Sequence, residues 1–197
     1  MVQDSKNWIV VSPQAYICCA LILMTIPVRW FGSWIIAAFC HECFHCIAVR
    51  LMGKKIHSIC IGVFGAKIYT DPLKPAESVF CSLSGPFAGF LLLLFAKYIP
   101  YISICALVQS VCNLLPIAPL DGSVALSGFL RLLLSEKTSK GICTILEKLM
   151  FAALLLLCLY ASCIWKLGKM PLFFAAIVLT RSLKRKIPCK YSLYRVQ

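Results

Sequence analysis

Long apolar segments are the feature of this sequence that most restricts its fold. A membrane-crossing helix needs about 17–25 predominantly apolar residues, and such segments occupy residues 13–28, 30–49, 78–96, 98–120, 149–165 and, less completely, 170–183. Because 61% of the residues are hydrophobic and only 14% are charged, a soluble globular domain is excluded. The sequence predicts an all-α, multi-pass membrane protein with about six transmembrane helices in a single domain over residues 1–197.

The basic residues are sorted between the predicted loops. With six spans, sixteen of the 20 Lys and Arg fall on the side that holds both termini and loops 50–77 and 131–148. The other four are Arg29, Lys97, Lys166 and Lys169. Since cytoplasmic loops are enriched in Lys and Arg, the N- and C-termini are predicted to be cytoplasmic. Topology therefore explains the net charge of +13, and no nucleic-acid partner is expected.

The second predicted span carries the motif His41-Glu42-Cys43-Phe44-His45. Residues four apart share one face of an α-helix, so His41 and His45 can offer two imidazole nitrogens to one metal ion. Glu42 lies about 100° round the helix from His41, where a base for a metal-activated water belongs. Ionisable side chains inside a membrane are costly to bury, which favours a functional role for all three.

Three cysteines overlap this motif and allow another interpretation. Cys40, Cys43 and Cys46 form C-x-x-C-x-x-C, which is similar to part of an iron–sulfur ligand run. Such a run needs a fourth cysteine nearby and a loop, whereas position 50 is Arg50 and the segment is predicted to be helical. An iron–sulfur cluster is therefore the minor interpretation.

Two β-prone segments flank Gly62-Val63-Phe64-Gly65 after the second span. They predict a β-hairpin over Ile56–Tyr69 beside the helix that carries the histidines. An exposed edge of this hairpin is a candidate binding site for an extended substrate peptide. The alternative is an amphipathic loop at the membrane interface.

Small residues mark the third predicted span. Residues 84–89 read Ser-Gly-Pro-Phe-Ala-Gly. Glycine and proline in a membrane helix permit close helix contacts or a kink. The motif is therefore predicted to bring this helix close to the histidine helix without taking part in the chemistry.

A second polar motif closes the fourth predicted span, at residues 113–122, Asn-Leu-Leu-Pro-Ile-Ala-Pro-Leu-Asp-Gly. Pro116 and Pro119 are predicted to break the helix there. Two histidines leave a catalytic zinc one protein ligand short, and Asp121 is the candidate that can supply an oxygen. Asn113 is a candidate donor to a substrate carbonyl. The alternative for Asp121 is a helix cap near the membrane surface.

These three motifs, in this order, resemble the site-2 protease family of intramembrane zinc metalloproteases. The last motif is most similar to the branch that contains stage IV sporulation protein FB, which processes the precursor of a sporulation sigma factor. The similarity covers a core of about residues 10–135, so that residues 136–197 form C-terminal helices and a basic cytoplasmic tail. The family implies a six-helix arrangement with an active site that opens toward the cytoplasm.

The resemblance also implies roles for individual residues. One zinc ion would be held by His41, His45 and Asp121, with Glu42 as general base and acid, and Asn113 matches the family's asparagine. Two residues depart from the family pattern. The residue after the asparagine is Leu where the family often has Pro, and the residue before the second histidine is the bulky Phe44, where a small residue is common.

The sequence therefore predicts a zinc metalloendopeptidase that hydrolyses peptide bonds of a membrane-tethered or membrane-associated protein in or near the lipid bilayer. A sporulation sigma-factor precursor is the specific substrate that the last motif suggests, and the resemblance allows an inhibitory membrane protein as a second partner. Two other functions compete. A non-proteolytic membrane metal carrier or sensor would use the same histidines, and a degenerate scaffold member of the family would fit the bulky Phe44.

Overall fold

The computed structural model describes residues 9–62, 65–118, 120–164 and 195–196. The elements, in chain order, are β1 (Ile9–Val11), α1 (Pro13–Thr25), α2 (Val28–Leu51), β2 (Ile56–Gly62), β3 (Gly65–Thr70), α3 (Pro75–Leu93), α4 (Pro100–Asn113), α5 (Asp121–Leu133), α6 (Glu136–Ile164) and β4 (Arg195–Val196). The protein is thus mostly helical, as predicted, and the segment predicted to form a hairpin belongs to a small four-stranded sheet.

Three of these helices are long and apolar enough to cross a membrane: Val28–Leu51, Pro75–Leu93 and Glu136–Tyr160. Helices α1 and α4 have 13 and 14 residues. At 1.5 Å per residue they are about 20 Å long, which is short of a hydrocarbon core of about 30 Å. The predicted count of six spans is therefore not reproduced among the described residues, and the predicted span at 170–183 lies outside them.

Proline sets the start of three helices. Pro13, Pro75 and Pro100 each occupy the first turn of α1, α3 and α4. The fixed backbone angle of proline suits this position, and the N–H that it lacks has no partner inside the helix there anyway. Each proline therefore sets the residue at which its helix begins.

The fourth predicted span is shorter than expected and is followed by a helix that was not predicted. Helix α4 ends at Asn113, residues 114–118 are non-helical, and α5 begins at Asp121. The break contains Pro116, as predicted, whereas Pro119 lies outside the described residues. The predicted loop 131–148 is mostly helical, because α5 extends to Leu133 and α6 begins at Glu136. Helix α5 buries one face and exposes the other. Arg131, for example, is exposed, whereas Ala125 and Gly128 of α5 are buried.

The sheet has the strand order β1-β2-β3-β4. Strands β2 and β3 form an antiparallel hairpin in which Ile59 faces Ile68, while β1 lies parallel to β2 and pairs with residues 59–61. Strand β4 pairs antiparallel with β3 at Ile68 and Tyr69. The hairpin therefore does not present the fully exposed edges expected from the sequence, because segments near both ends of the chain pair with it.

Helix α3 is the centre of the bundle and packs against α2, α4 and α5. Glycines make these contacts close. A Cβ added at Gly89 would lie 2.7 Å from the backbone oxygen of Ala106 in α4, and one added at Gly128 would lie 2.8 Å from a methyl carbon of Val79 in α3. Small residues of this kind allow helix backbones to approach in a membrane. The packing holds α2 and α5, the two helices that carry the polar motifs, against the same helix.

Candidate metal centre

His41 and His45 lie on the buried face of α2, one turn apart. Their side chains are almost entirely buried, with relative exposures of 5% and 1%. The ring centroids are 4.8 Å apart and the two Nε2 atoms 3.2 Å apart. The spacing of four residues thus directs both imidazoles to one point, as the helical periodicity predicts.

Asp121 reaches the same point from the start of α5. Its Oδ2 atom lies 2.9 Å from Nε2 of His41 and 3.3 Å from Nε2 of His45, and the residue is only 2% exposed. The N-cap of α5 is Leu120, and no side chain caps this helix. The carboxylate therefore faces the imidazoles rather than the free backbone N–H groups of the helix, which does not fit the alternative of a capping role.

Gly122 allows Asp121 to occupy this position. A Cβ at residue 122 would lie 2.8 Å from the backbone oxygen of Leu115 and closer still to that of Leu114. The start of α5 therefore packs directly on the backbone of the segment that follows α4. This contact gives a physical reason for glycine to follow the aspartate in the motif.

The spacing of the three ligand atoms fits a zinc ion. Zinc binds nitrogen and oxygen at about 2.0–2.1 Å in a tetrahedral site, which separates its ligand atoms by about 3.3 Å. The separations of 2.9, 3.2 and 3.3 Å among the Nε2 atoms and Oδ2 are close to that value. Among the described residues, His41, His45 and Asp121 are the one group of His, Cys, Asp and Glu side chains that could hold a metal ion.

The hydrogen bonding of His45 also favours a cation. Its Nδ1 lies 2.8 Å from the backbone oxygen of Cys81, and since a carbonyl only accepts, Nδ1 carries the proton. In the neutral ring, Nε2 then has a lone pair that faces the carboxylate of Asp121 and the second imidazole. Converging lone pairs in a buried site repel one another unless a shared cation or proton lies between them. The residues present therefore fit a metal ion.

Glu42 lies next to the histidines but is held by the hairpin. Its Oε1 accepts a hydrogen bond from the backbone N–H of Ala66 in β3, at 3.2 Å, and Oε2 is buried without a partner among the described residues. Gly65, with φ of +112°, starts β3 beside this carboxylate, and a Cβ there would meet Oε1 at 3.5 Å. One oxygen of Glu42 is thus anchored and the other is available for a proton.

Asn113 lies at the rim of the same site, at the end of α4. Its amide nitrogen is 3.2 Å from Nε2 of His41. The sequence-predicted residues His41, His45, Asp121 and Asn113 therefore converge, although they come from three different helices.

The three cysteines considered from the sequence, and the third histidine of the chain, do not join the site. Cys40, Cys43 and Cys46 lie on the uninterrupted helix α2 with free thiols, not on the loop that an iron–sulfur cluster needs. His57 on β2 is exposed and pairs with Asp71 at 2.9 Å. Neither group belongs to the metal-binding set.

Several residues of the site were not foreseen from the sequence. They are the backbone N–H of Ala66, the carbonyl of Cys81, the hydroxyl of Ser84 and the bare Cα of Gly85, which packs against both imidazoles. Backbone N–H and C=O groups are present in almost every residue, so the sequence does not show which of them contribute to a site. Only the motif at 84–89 indicated that this helix lies near the histidines. The motif is predicted to bring α3 close to α2, and in the structure Gly85 lies directly against the two imidazoles.

Comparison with known proteins bears on the fold. No protein-family model matches the chain, and no curated protein sequence matches it. Among solved structures, the Site-2 Protease from Methanocaldococcus jannaschii matches with a TM-score of 0.67 and 16% sequence identity, over 94% of each chain. The chain shares the fold of this protease.

Proposed function

We propose that this chain is an intramembrane zinc metalloprotease of the site-2 protease family. The observation that carries the proposal is the meeting of two imidazoles and a carboxylate at one buried point. These groups come from His41, His45 and Asp121, in a protein that has the fold of a site-2 protease and three helices long and apolar enough to cross a membrane.

The three side chains would hold one zinc ion and leave its fourth position open. Three protein ligands with one open position are the arrangement of catalytic rather than structural zinc sites. When bound there, zinc supplies Lewis acidity, which lowers the pKa of a water toward about 7 and polarises a peptide carbonyl.

Glu42 is the proposed general base and acid. Its Oε2 atom takes a proton from the attacking water and then gives it to the leaving amine, so that one residue serves both halves of the hydrolysis. The N–H of Ala66 on Oε1 fixes the carboxylate during these transfers. The hairpin therefore has a direct part in the proposed chemistry.

The outer edge of β3 is the proposed docking site for the substrate backbone. The N–H of Ala66 points to Glu42, away from β2, whereas further along this edge Ile68 and Tyr69 pair with β4. In a helical substrate the backbone carbonyls accept intrahelical hydrogen bonds, so the segment has to become extended before its peptide bond can be cleaved. A strand added at the Ala66 end of the edge would lie beside Glu42. Asn113 would donate a hydrogen bond to a carbonyl of that strand.

The site is proposed to open toward the cytoplasm. His45 precedes Arg50 by five residues, which is about 7.5 Å along the axis of α2. Arg50 lies in the last turn of this candidate span and belongs to the side that is rich in Lys and Arg. The metal-binding residues are thus nearer to the proposed cytoplasmic end of the helix, from which water can enter.

The proposed substrate is a membrane-tethered or membrane-associated protein. A sporulation sigma-factor precursor is the specific candidate, and an inhibitory membrane protein is a second proposed partner, both on the likeness of the 113–122 motif alone. A metal carrier is less well supported, because transport needs successive sites along a path. The described residues provide one compact group.

Co-expression with candidate membrane-tethered precursors tests the function. The parent chain should release a shortened product, and Glu42→Gln should reduce the cleavage rate by about 100-fold to 10,000-fold because general acid–base catalysis is lost. Glu136→Gln is the matched control, since this exposed carboxylate pairs with Lys140 far along the chain from the site. Cleavage by the Glu42→Gln variant at the parent rate would rule out the proposed mechanism.

A further inference from the structure

The backbone of α3 lies directly against the two imidazoles. A Cβ added at Gly85 would lie 2.7 Å from Nε2 of His41, 2.6 Å from Cε1 of His45 and closer still to Nε2 of His45. At position 85, therefore, no side chain separates the backbone of α3 from the candidate ligands. This approach brings the polar groups of the preceding turn of α3 within reach of the rings.

Two of those polar groups contact the far side of His45. The backbone oxygen of Cys81 accepts from Nδ1 at 2.8 Å, and the Ser84 hydroxyl lies 3.3 Å from the same nitrogen. The hydroxyl also donates to the Cys81 oxygen at 2.6 Å. Because its proton is used in that bond, the lone pairs of Ser84 Oγ are free to face the Nδ1 proton. His45 thus has two acceptors for one N–H.

His41 has no equivalent support. Its Nδ1 is buried and has no hydrogen-bond partner in the part of the chain that the structure describes. The orientation of the two imidazoles is therefore fixed by different means, and only His45 is tied to a neighbouring helix by its second nitrogen.

We propose that Ser84 is a positioning residue of the metal centre, which acts through His45. Together with the Cys81 carbonyl, it keeps the proton of His45 on Nδ1 and the ring in place, so that Nε2 faces the metal position. Partners of this kind on the second nitrogen of a ligand histidine raise its basicity and commonly change metal affinity by about 10-fold to 100-fold. The inference rests on the proposed function and assigns the 84–89 motif a part in metal binding.

The Ser84 hydroxyl could instead serve only the structure of α3, and the test has to distinguish this role from positioning of His45. Serine hydroxyls often bond to a carbonyl one turn earlier in membrane helices. Ser82 supplies the matched control, because its hydroxyl donates to the Ser78 carbonyl of the same helix and the residue is fully buried. Ser82→Ala removes such a bond without removing a partner of His45.

The test measures zinc affinity by competition with a chromogenic chelator, in a Glu42→Gln background so that turnover plays no part. Ser84→Ala should bind zinc about 10-fold to 100-fold more weakly and should shift the visible absorption bands of the cobalt-substituted protein. Ser82→Ala should match the Glu42→Gln parent in both respects. Ser84→Thr, which keeps the hydroxyl, should restore most of the affinity and provides a second variant if Ser84→Ala folds poorly.

The outcomes separate the two proposals. If Glu42→Gln itself binds no zinc, the proposed function fails and the role of Ser84 fails with it. If it binds zinc and Ser84→Ala binds equally well with unchanged cobalt bands, the proposed function stands and the positioning role is overturned. Equal losses in Ser84→Ala and Ser82→Ala would also overturn it, because the effect would then belong to the helix and not to His45.

Discussion

At the scale of single residues, the free-energy cost of burying polar side chains indicates what the site binds. Two imidazoles and a carboxylate with exposures of 5% or less need partners, and they find them in one another and in the Cys81 carbonyl. Without a shared cation or proton, the nitrogen lone pairs and the carboxylate oxygen would face one another at 2.9–3.3 Å. A metal ion turns this arrangement from a cost into a stabilising interaction.

Asp121 gives the most specific prediction at this scale. In Asp121→Ala the zinc ion keeps two imidazoles and loses its oxygen ligand, so the purified protein should contain well under one zinc ion per chain and show no proteolysis. Metal analysis of the purified variant measures this. Asp71→Ala is the control, since Asp71 pairs with His57 outside the site and its loss should leave the zinc content unchanged. A normal zinc content in Asp121→Ala would remove this residue from the ligand set.

Some of these residues could be predicted and others could not. His41 and His45 follow from a local rule, since a separation of four residues defines one helix face. Asp121 lies 80 positions from His41, so no local rule joins it to the histidines. It was predicted from the third protein ligand that a catalytic zinc needs and from the resemblance of its motif to the site-2 protease family. Ser84 and the Cys81 carbonyl carry no charge and have no fixed spacing to the histidines. Their role depends on how closely α3 packs on α2, which is a tertiary property.

At the scale of elements, the break between α4 and α5 positions the third candidate ligand. Helix α4 ends at Asn113 and α5 begins at Asp121, with Pro116 in the segment between them. The residue before a proline is disfavoured in the helical conformation, so a continuous helix through this segment is prevented. The break places the side chain of Asn113 and that of Asp121 at the same site.

The close packing of α3 against α4 predicts that a larger residue at position 89 destabilises the protein. Gly89→Ala would place a methyl group 2.7 Å from the Ala106 oxygen and still closer to Ser110 Oγ. Overpacking of this kind costs about 1–3 kcal/mol, and displacement of α3 should also weaken zinc binding. Thermal unfolding in detergent measures the loss of stability. Gly32→Ala is the matched control on α2, with no atom within 4 Å of its new methyl group, and it should be neutral or slightly stabilising. Equal stability of the two variants would contradict the close contact.

Sequence analysis missed some helices for one physical reason and some strands for another. Helix α5 and the first turns of α6 contain charged residues, so a search for uncharged segments passes over them, although each needs only one apolar face to pack. Strands β1 and β4 are short, and they are strands only because they pair with β2 and β3. Pairing between segments distant in sequence cannot be read from local propensity.

At the scale of the whole molecule, the distribution of Lys and Arg predicts how the chain is oriented in a bilayer. Fusions to topology reporters test the predicted arrangement. A fluorescent reporter that folds only in the cytoplasm should be active after Ser135, between α5 and α6, because that loop belongs to the side rich in Lys and Arg. Alkaline phosphatase, which folds outside the cytoplasm, should be active after Lys97, between α3 and α4. The opposite pattern would reverse the orientation and place the opening of the site on the other face of the membrane.

The most direct test of the three-ligand centre is zinc K-edge X-ray absorption on the purified Glu42→Gln protein, which should retain its metal. We predict one zinc ion per chain, bound to nitrogen and oxygen atoms at about 2.0–2.1 Å with scattering from two imidazole rings. Sulfur atoms at about 2.3 Å would instead indicate thiolate ligands from the cysteines of α2. That result, or the absence of bound zinc, would contradict a centre made by His41, His45 and Asp121.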